Sequence, residues 1–270
     1  MSRFWTWTIR GLAMCCLLCS LGAGWLAPAP FDQQFRESVM EPPSRRFPLG
    51  TDELGRDRLS RLLHGSRVSF GLAVCAALAS TLIAASLGTA AALRGGAVER
   101  LFLSFAELTV SAPSLFLILV ARSLLPLETT PMVSVMTTFA LLGLLGWAGP
   151  ARVVWAGAKK IRHSGFVLQA RANGSTASRL LWRQLAPNLA PLLRAQFWIA
   201  LPAFIVAEAN LGLLGLGVAE PLPSLGSLLR EMDGIGRITE QPATLAPAIW
   251  IAFSLWSCQM ASGRKDPSYV

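Results

Sequence analysis

Residues 68–93 read VSFGLAVCAALASTLIAASLGTAAAL and contain no charged side chain. This run is longer than the roughly 20 apolar residues that an α-helix needs to cross the hydrocarbon core of a bilayer. Only 14% of the 270 residues are charged and 53% are hydrophobic, whereas about 25% of an average soluble domain is charged. The run and the composition together predict a membrane protein and argue against a soluble cytosolic enzyme.

Five further apolar runs of comparable character occur along the chain, so the sequence predicts six transmembrane spans. Backbone polar groups in lipid must be satisfied internally, and each span is therefore expected to be a helix. The fold class is an all-α polytopic membrane protein. The runs are 11–27, 68–93, 101–121, 132–148 with a continuation at 153–158, 195–218 and 242–263. The first run has a basic start and ends in Ala-Pro-Ala-Pro; we expect it to be retained, with a cleaved signal peptide as the alternative.

The positive charge is concentrated in one part of the chain. No Asp or Glu occurs in residues 129–207, although the net charge of the whole chain is +9. The basic residues of this window are Arg152, Lys159, Lys160, Arg162, Arg171, Arg179, Arg183 and Arg194. By the positive-inside rule the segment between spans four and five is cytoplasmic, and with six spans both termini are cytoplasmic too. This concentration of charge favours contact with a membrane surface over a nucleic-acid partner. The six-span topology places residues 28–67 outside, although this loop contains seven Arg against six acids and so fits the positive-inside rule least well.

Residue types that carry enzyme chemistry are scarce. The chain has two His and five Cys, no G-x-x-x-x-G-K-[ST] phosphate loop and no G-x-S-x-G nucleophile motif. The five Cys fall within apolar runs, where thiols usually act as small hydrophobic side chains. The sequence therefore predicts no catalytic residue, no metal ligand and no cofactor in this chain.

Three motifs carry a family resemblance. Residues 48–71 read PLGTDELGRDRLSRLLHGSRVSFG, which resembles the segment before the second helix in permease subunits of ABC importers for dipeptides, oligopeptides and nickel, most closely the C-type permease. Residues 207–218, AEANLGLLGLGV, are similar to the end of the family's fifth helix, and residues 149–154, GPARVV, are similar to its A-R-x-V stretch.

The resemblance implies a function and a set of partners. The chain would form half of a translocation path in a bacterial inner membrane. It would pair with a second related permease, two ATPase subunits that bind ATP and Mg, and an extracytoplasmic substrate-binding protein. Peptides, nickel or metal chelates and similar small solutes remain open as substrates. Residues 1–67 would form the first helix and outer loop, and residues 68–270 the five-helix permease core.

The basic segment at about 159–189 resembles the family's cytoplasmic coupling-helix loop, between helices four and five. Gly174 would separate two short helices, because glycine adopts a turn conformation without the steric cost of a Cβ. The resulting pair of helices would project into the cytoplasm and fit a groove on the ATPase. The implied docking residues are Phe166, Val167, Leu168, Gln169, Ala170, Arg171, Ala172, Asn173, Gly174, Ser175, Pro187 and Asn188. Leu168 replaces the family glutamate, so docking is expected to be weaker or adapted to a particular partner. A basic interfacial hairpin without a partner is the alternative.

Two carboxylates fall inside predicted spans, where an unpaired charge is costly. For Glu107, near the Pro113 kink, the sequence leaves open a pathway position and a structural bond between helices. For Glu208, beside Asn210 and several glycines, contact with the partner permease and contact with substrate are both open.

A stand-alone channel or secondary transporter and an intramembrane enzyme are the rival function classes. The sequence shows no convincing internal repeat to support a transporter of that kind, and no nucleophile–base pair within the spans to support an enzyme.

Overall fold

The computed structural model describes residues 22–123, 130–232 and 241–262. Within these ranges the secondary structure is helical, apart from isolated bridges at Gln34–Arg56 and Thr51–Asp57. The α-helices are α1 Ala23–Leu26, α2 Arg58–Arg94, α3 Gly96–Ser111, α4 Ser114–Ser123, α5 Pro131–Leu145, α6 Ala148–Arg162, α7 Gly165–Ala172, α8 Ala177–Leu180, α9 Ala186–Leu213, α10 Leu225–Arg230 and α11 Ala246–Ser262. A π-helix, Leu181–Leu185, precedes α9, and a 3₁₀-helix, Pro242–Leu245, precedes α11.

Among the residues that the structure describes, three helical stretches are long and apolar enough to cross a membrane. They are Arg58–Arg94, Pro131–Arg162 and Ser178–Leu213, and they contain most or all of the predicted second, fourth and fifth runs. The helical class and the membrane character are thus confirmed. The count of six spans stays a prediction, and most of the first predicted run lies outside the described residues.

Helix α2 begins ten residues before the apolar run that predicted it. The Asp57 carboxylate accepts hydrogen bonds from the Ser60 backbone N–H at 2.8 Å and from Ser60 Oγ at 2.5 Å, which is the bonding of a helix N-cap. The 37 residues of α2 extend about 55 Å at roughly 1.5 Å per residue, against about 30 Å of hydrocarbon. Its first turns therefore reach beyond the length that a bilayer requires.

Two of the predicted runs are interrupted. The third run is divided between α3 and α4, because Ala112 has extended dihedral angles (φ −76°, ψ 135°) directly before Pro113, as steric clash with a following proline ring favours. The fourth run is divided between α5 and α6 at residues 146–147. Trp147 at that junction is buried and packs beside the rings of Phe102 and Phe105.

The chain divides into two compact units. Of the described residues, the first unit comprises 22–74, 122–123, 130–140, 201–232 and 241–262, and the second comprises 75–121 and 141–200. The predicted boundary between residues 67 and 68 falls inside α2.

Two apolar clusters form the interior of the second unit. One contains Ala84, Ala106, Trp147, Ala148, Ala151 and Val154, and the other contains Ala92, Ala158, Val167, Leu180, Leu185 and Leu189. Alanine and glycine allow helix axes to approach closely: a Cβ placed on Gly88 would lie 2.5 Å from the Ala151 carbonyl oxygen.

Candidate functional site

Five charged side chains of the first unit meet where the segment before α2 approaches the segments that flank α10. This group, the Arg61 cluster, consists of Asp52, Arg56, Arg61, Glu220 and Glu231. Asp52 Oδ2 accepts hydrogen bonds from Arg56 Nε at 2.7 Å and from Arg61 Nη1 at 2.5 Å. Arg61 Nη1 also lies 2.5 Å from Glu231 Oε1. Glu220 contacts both guanidinium groups, at 3.0 Å from Arg56 Nη1 and 3.4 Å from Arg61 Nη2.

The motif at residues 48–57 positions Asp52 through two glycine turns. Gly50 and Gly55 have φ of 71° and 72°, a left-handed conformation that disfavours a side chain. A Cβ on Gly50 would clash with the Glu41 carbonyl oxygen, and one on Gly55 would clash with the Phe35 carbonyl oxygen. Between these turns, Asp52 Oδ1 accepts the backbone N–H groups of residues 54 and 56 at 2.9 and 2.8 Å. The order of residues in the motif thus fixes the position of the Asp52 carboxylate, which accepts hydrogen bonds from Arg56 and Arg61.

Burial and charge pairing set the protonation of the cluster. Burial lowers the pKa of Arg56, but the carboxylates of Glu220 and Asp52 raise it by more, so the pKa lies above its ordinary value. Burial raises the pKa of the Glu231 carboxyl, and the nearby Arg61 guanidinium opposes that shift. Arg61 is 1% exposed, and a buried charge of this kind is tolerated only when it is paired.

A cavity of about 490 Å³ adjoins the cluster within the first unit. Its wall is the glycine-rich stretch 215–220 together with Glu53, Arg230 and Glu231. A second cavity of about 230 Å³ shares Glu53, Glu220 and Glu231 with it. Sequence reasoning identified the motif at residues 48–57 but missed its partners, because Glu220 is 159 residues away from Arg61.

Glu208 lies in the interior of the first unit and is 0% exposed. Its Oε2 accepts a hydrogen bond from Ser69 Oγ at 3.0 Å, and both of its carboxylate oxygens lie 3.3 Å from the Gly226 backbone N–H. Ser69 Oγ in turn accepts the backbone N–H of Leu225 at 3.0 Å. Glu208 therefore joins α9, α2 and the start of α10.

In the structure the Glu208 carboxylate is covered within its own unit, and contact with the partner permease or with substrate stays a prediction. The reason for this cover is the absence of side chains at two positions. A Cβ on Gly212 would clash with the backbone of Gly226, and one on Gly226 would lie 2.7 Å from both the carbonyl and the carboxylate oxygen of Glu208. Two glycines thus allow α10 to cover the carboxylate. Asn210, the neighbouring candidate, is half-buried.

Glu107 lies on the exposed face of α3 in the second unit, with 62% of its side chain accessible. Arg152 Nη2 lies 3.7 Å from Glu107 Oε1, too far for a hydrogen bond. Glu107 therefore forms an ion pair between α3 and α6 rather than a hydrogen bond, and both a pathway position and a structural bond between helices stay predictions. Pro113 lies at the break between α3 and α4 and is also exposed.

The docking segment predicted at about 159–189 forms two short helices with a turn between them. Helix α7 ends at Ala172, and Gly174 has φ of 75°. The Ser175 N–H donates to the Ala170 carbonyl oxygen at 3.1 Å, so this turn satisfies a carbonyl at the end of α7. Helix α8 then begins at Ala177.

One face of the docking segment is buried and another is exposed. Val167 is fully buried in the cluster that contains Ala92 of α2 and Leu189 of α9. Phe166 and Leu168, on either side of Val167, are 45% and 54% exposed, and Trp182 is 72% exposed. A segment anchored by one apolar side chain and presenting other large apolar side chains outward has the form of a docking element. Docking itself stays a prediction.

The π-helix Leu181–Leu185 precedes the predicted Pro187–Asn188 pair. The Ala186 N–H donates to the Leu181 carbonyl oxygen, five residues back. Proline has no N–H to continue an α-helical ladder, and π-turns of this kind occur often at functional positions. Asn188 Nδ2 donates to the Gln184 carbonyl oxygen at 2.6 Å and so supplies a bond across the irregular turn.

Polar contacts that the sequence did not predict fix the end of α6. Lys159 Nζ and Trp155 Nε1 both donate to Glu99 Oε1, at 2.5 and 3.0 Å. The hydrogen bond from Lys159 lowers the pKa of the Glu99 carboxyl. Arg162 Nη1 donates to the Ala92 carbonyl oxygen at 2.6 Å. The C-terminal turns of α6 are therefore bonded to the end of α2 and to the start of α3.

Comparison with known proteins gives consistent matches. Residues 80–259 match the family model described as "Binding-protein-dependent transport system inner membrane component". The chain is 31% identical over 228 residues to "Oligopeptide transport system permease protein OppC" of Bacillus subtilis (strain 168), which covers 84% of this chain and 72% of that protein. It is 30% identical over 237 residues to "Dipeptide transport system permease protein DppC" of the same organism, covering 86% and 72%. A third relative, "Di/tripeptide transport system permease protein DppC" of Pseudomonas aeruginosa (strain UCBPP-PA14), is 31% identical over 220 residues, covering 79% and 70%.

Proposed function

Since this chain belongs to the family of binding-protein-dependent transport system inner membrane components and is a permease subunit, we propose that it forms half of the translocation path of an ATP-driven peptide importer. The names of its relatives support peptides as the substrate class, because they specify oligopeptides, dipeptides and di/tripeptides. Nickel and metal chelates have no such support.

The proposed assembly contains four kinds of subunit. This chain pairs with a second, related permease, and two ATPase subunits bind ATP and Mg on the cytoplasmic side. An extracytoplasmic binding protein delivers the peptide. The chain crosses the bacterial inner membrane six times with both termini in the cytoplasm. The basic segment between spans four and five, which the positive-inside rule makes cytoplasmic, supports this orientation.

The docking segment transmits ATPase closure to the permease. Its exposed side chains Phe166 and Leu168 enter a groove on the ATPase, while buried Val167 holds the segment against α2 and α9. A movement of the segment is therefore passed to Ala92 and Leu189, since a close-packed interior transmits displacement. The Arg61 cluster holds the segment before α2 against the segments that flank α10, and the six-span topology that we propose makes these segments extracytoplasmic.

The test is purification of this chain after co-expression with the second permease and the two ATPase subunits. We expect the ATPase to copurify, and to be lost when residues 164–186 are scrambled while the second permease is retained. The matched control is a scramble of residues 28–46, which belong to the segment before α2. ATPase binding that survives the first scramble would contradict the docking role.

Transport by the reconstituted complex tests the substrate class. Proteoliposomes with the binding protein should accumulate a radiolabelled dipeptide or tripeptide only when both ATP and the ATPase subunits are present, because this chain has no phosphate-binding loop of its own. Uptake by this chain without ATPase subunits would favour the stand-alone channel or secondary transporter. Uptake of nickel but not of peptides would overturn the peptide assignment and leave the permease role intact.

A further inference from the structure

An apolar groove of about 620 Å³ lies in the second unit, between the C-terminal half of α2 and the residues around the start of α9. The α2 residues that line it recur every three or four positions, so they form one row along the helix. Those residues are Leu82, Ala85, Ser86, Thr89 and Leu93. Ala186, Leu189 and Leu193 form the equivalent row on α9. The two rows make the walls of an elongated channel that is open along one side.

The length of the groove corresponds to one leaflet of a bilayer. Leu82 and Leu93 are separated by about 16 Å along α2 at roughly 1.5 Å per residue. This is close to half of the roughly 30 Å thickness of the hydrocarbon core. Leu82 is 67% exposed, so an accessible apolar side chain lies at the end of the groove that is farther from Arg94.

An arginine closes the other end. Arg94 lines the groove at the last residue of α2 and is exposed. The π-helix lies at this same end, because Leu185 packs with Ala92, and Trp182 contributes its exposed ring to the groove wall. Arg162 adds a second guanidinium nearby, where it bonds the Ala92 carbonyl oxygen.

We propose that this groove binds one acyl chain of an anionic phospholipid, whose headgroup phosphate pairs with Arg94. The apolar rows match an acyl chain, and the guanidinium matches a phosphate, which it can bind through two parallel N–H groups. Basic pockets between helices on the cytoplasmic side of membrane proteins recognise anionic headgroups in this way. Around this end of the groove Arg94, Arg162 and Lys159 outnumber the one nearby carboxylate, Glu99, so the local charge is positive. The site is separate from peptide transport and does not depend on the substrate class.

The first test measures lipid retention by native mass spectrometry of the purified permease complex, with dioleoylphosphatidylglycerol and dioleoylphosphatidylcholine as probes. Arg94→Gln should reduce retention of phosphatidylglycerol about tenfold, the effect of losing a charge-assisted contact. It should affect phosphatidylcholine less, because the choline cation of that lipid compensates the charge of its phosphate. Arg100→Gln is the matched control, because Arg100 is exposed on α3 and does not line the groove. Equal effects of the two variants would overturn the headgroup assignment.

The second test identifies the occupant directly and does not rely on a folding-sensitive substitution. A photoreactive benzoylphenylalanine in place of exposed Leu82, in the complex within phosphatidylglycerol-containing membranes, should cross-link to lipid. Cross-linking to the second permease, or to another segment of this chain, would show that a protein helix fills the groove and would overturn the proposal. Ala90 also lines the groove, and Ala90→Phe, which fills the groove, should abolish the lipid adduct.

Discussion

Asp52 Oδ2 lies 2.5 Å from Nη1 of Arg61, and both residues are almost completely buried. The same oxygen accepts Nε of Arg56 at 2.7 Å. One carboxylate oxygen therefore holds two guanidinium groups, and Glu220 and Glu231 complete their charge balance. Because removing one partner leaves a buried charge uncompensated, this relationship makes the segment before α2 sensitive to single substitutions.

Asp52→Asn should destabilise the first unit by about 3–5 kcal/mol, the typical effect of breaking a buried ion pair. The measurement is thermal unfolding of the detergent-solubilised complex, in which the midpoint Tm should fall. Asp32→Asn is the control, since Asp32 is exposed in the same segment. A Tm that falls equally for both variants would contradict the role given to Asp52.

Gly226→Ala should prevent α10 from covering Glu208, because the new Cβ would lie 2.7 Å from two oxygen atoms of that residue. We expect a loss of about 1–3 kcal/mol or more, as for other overpacked interiors, measured by the same thermal unfolding. Gly149→Ala in α6 is the matched control, since a Cβ there meets no atom within 4 Å. Wild-type stability of the Gly226 variant would mean that the close approach of α9 and α10 is not needed.

Gly174→Ala should weaken coupling between ATP hydrolysis and transport. A left-handed conformation costs about 1–2 kcal/mol for a residue with a side chain, and the φ of 75° at Gly174 requires that conformation. Peptide-stimulated ATP hydrolysis in proteoliposomes should fall, with the amount of assembled complex maintained. Gly165→Ala, at the start of α7 where a Cβ meets no atom within 4 Å, should have no effect; a fall of similar size there would rule out the turn as the cause.

Leu168→Glu should raise peptide-stimulated ATP hydrolysis, because it restores the carboxylate that the family resemblance places at this exposed position. Gln169→Glu adds the same charge one residue further along α7, on a different face, and should not reproduce the effect. Unchanged hydrolysis in the Leu168 variant would show that this departure does not weaken docking.

Glu99→Gln should lower stability at neutral pH and have less effect in acid. The hydrogen bond from Lys159 lowers the pKa of Glu99 below its ordinary value of 4.5. The folded state therefore gains stability above that ordinary value, and loses it as the pH falls through the lower folded pKa. The difference in Tm between wild type and variant should be larger at pH 7 than at pH 4; a difference independent of pH would show that the charge of Glu99 is not involved.

The sequence predicted the helical class and the family because both depend on local patterns. The uncharged run at residues 68–93 required a helix, and the motif at residues 48–71 lies outside the matched range 80–259 yet indicates the same family. The sequence also indicates where α2 begins, because Asp57 is a favourable N-cap residue for the helix that follows it. The apolar run marks the membrane-crossing part of α2, which begins ten residues after the helix itself.

Long-range pairing could not be predicted from the sequence. Glu208 depends on Ser69, 139 residues earlier, and on Gly226, 18 residues later. Its apolar neighbours identified it as an unusual carboxylate but did not indicate where its oxygen atoms point. The same holds for Glu99 and Lys159, 60 residues apart, because each is an ordinary surface residue until the helices pack.

The Arg61 cluster also has an order of assembly. Asp52 and Arg61 emerge from the ribosome almost together, whereas Glu220 follows Arg61 by 159 residues, or roughly 8–30 s at about 5–20 residues per second. During that interval Arg61 has Asp52 beside it but neither of its later carboxylate partners. A chain whose synthesis stops before residue 220 lacks both later carboxylates, so its Arg61 guanidinium is incompletely neutralised. The charge pairing of Arg61 therefore distinguishes a complete permease from a truncated one.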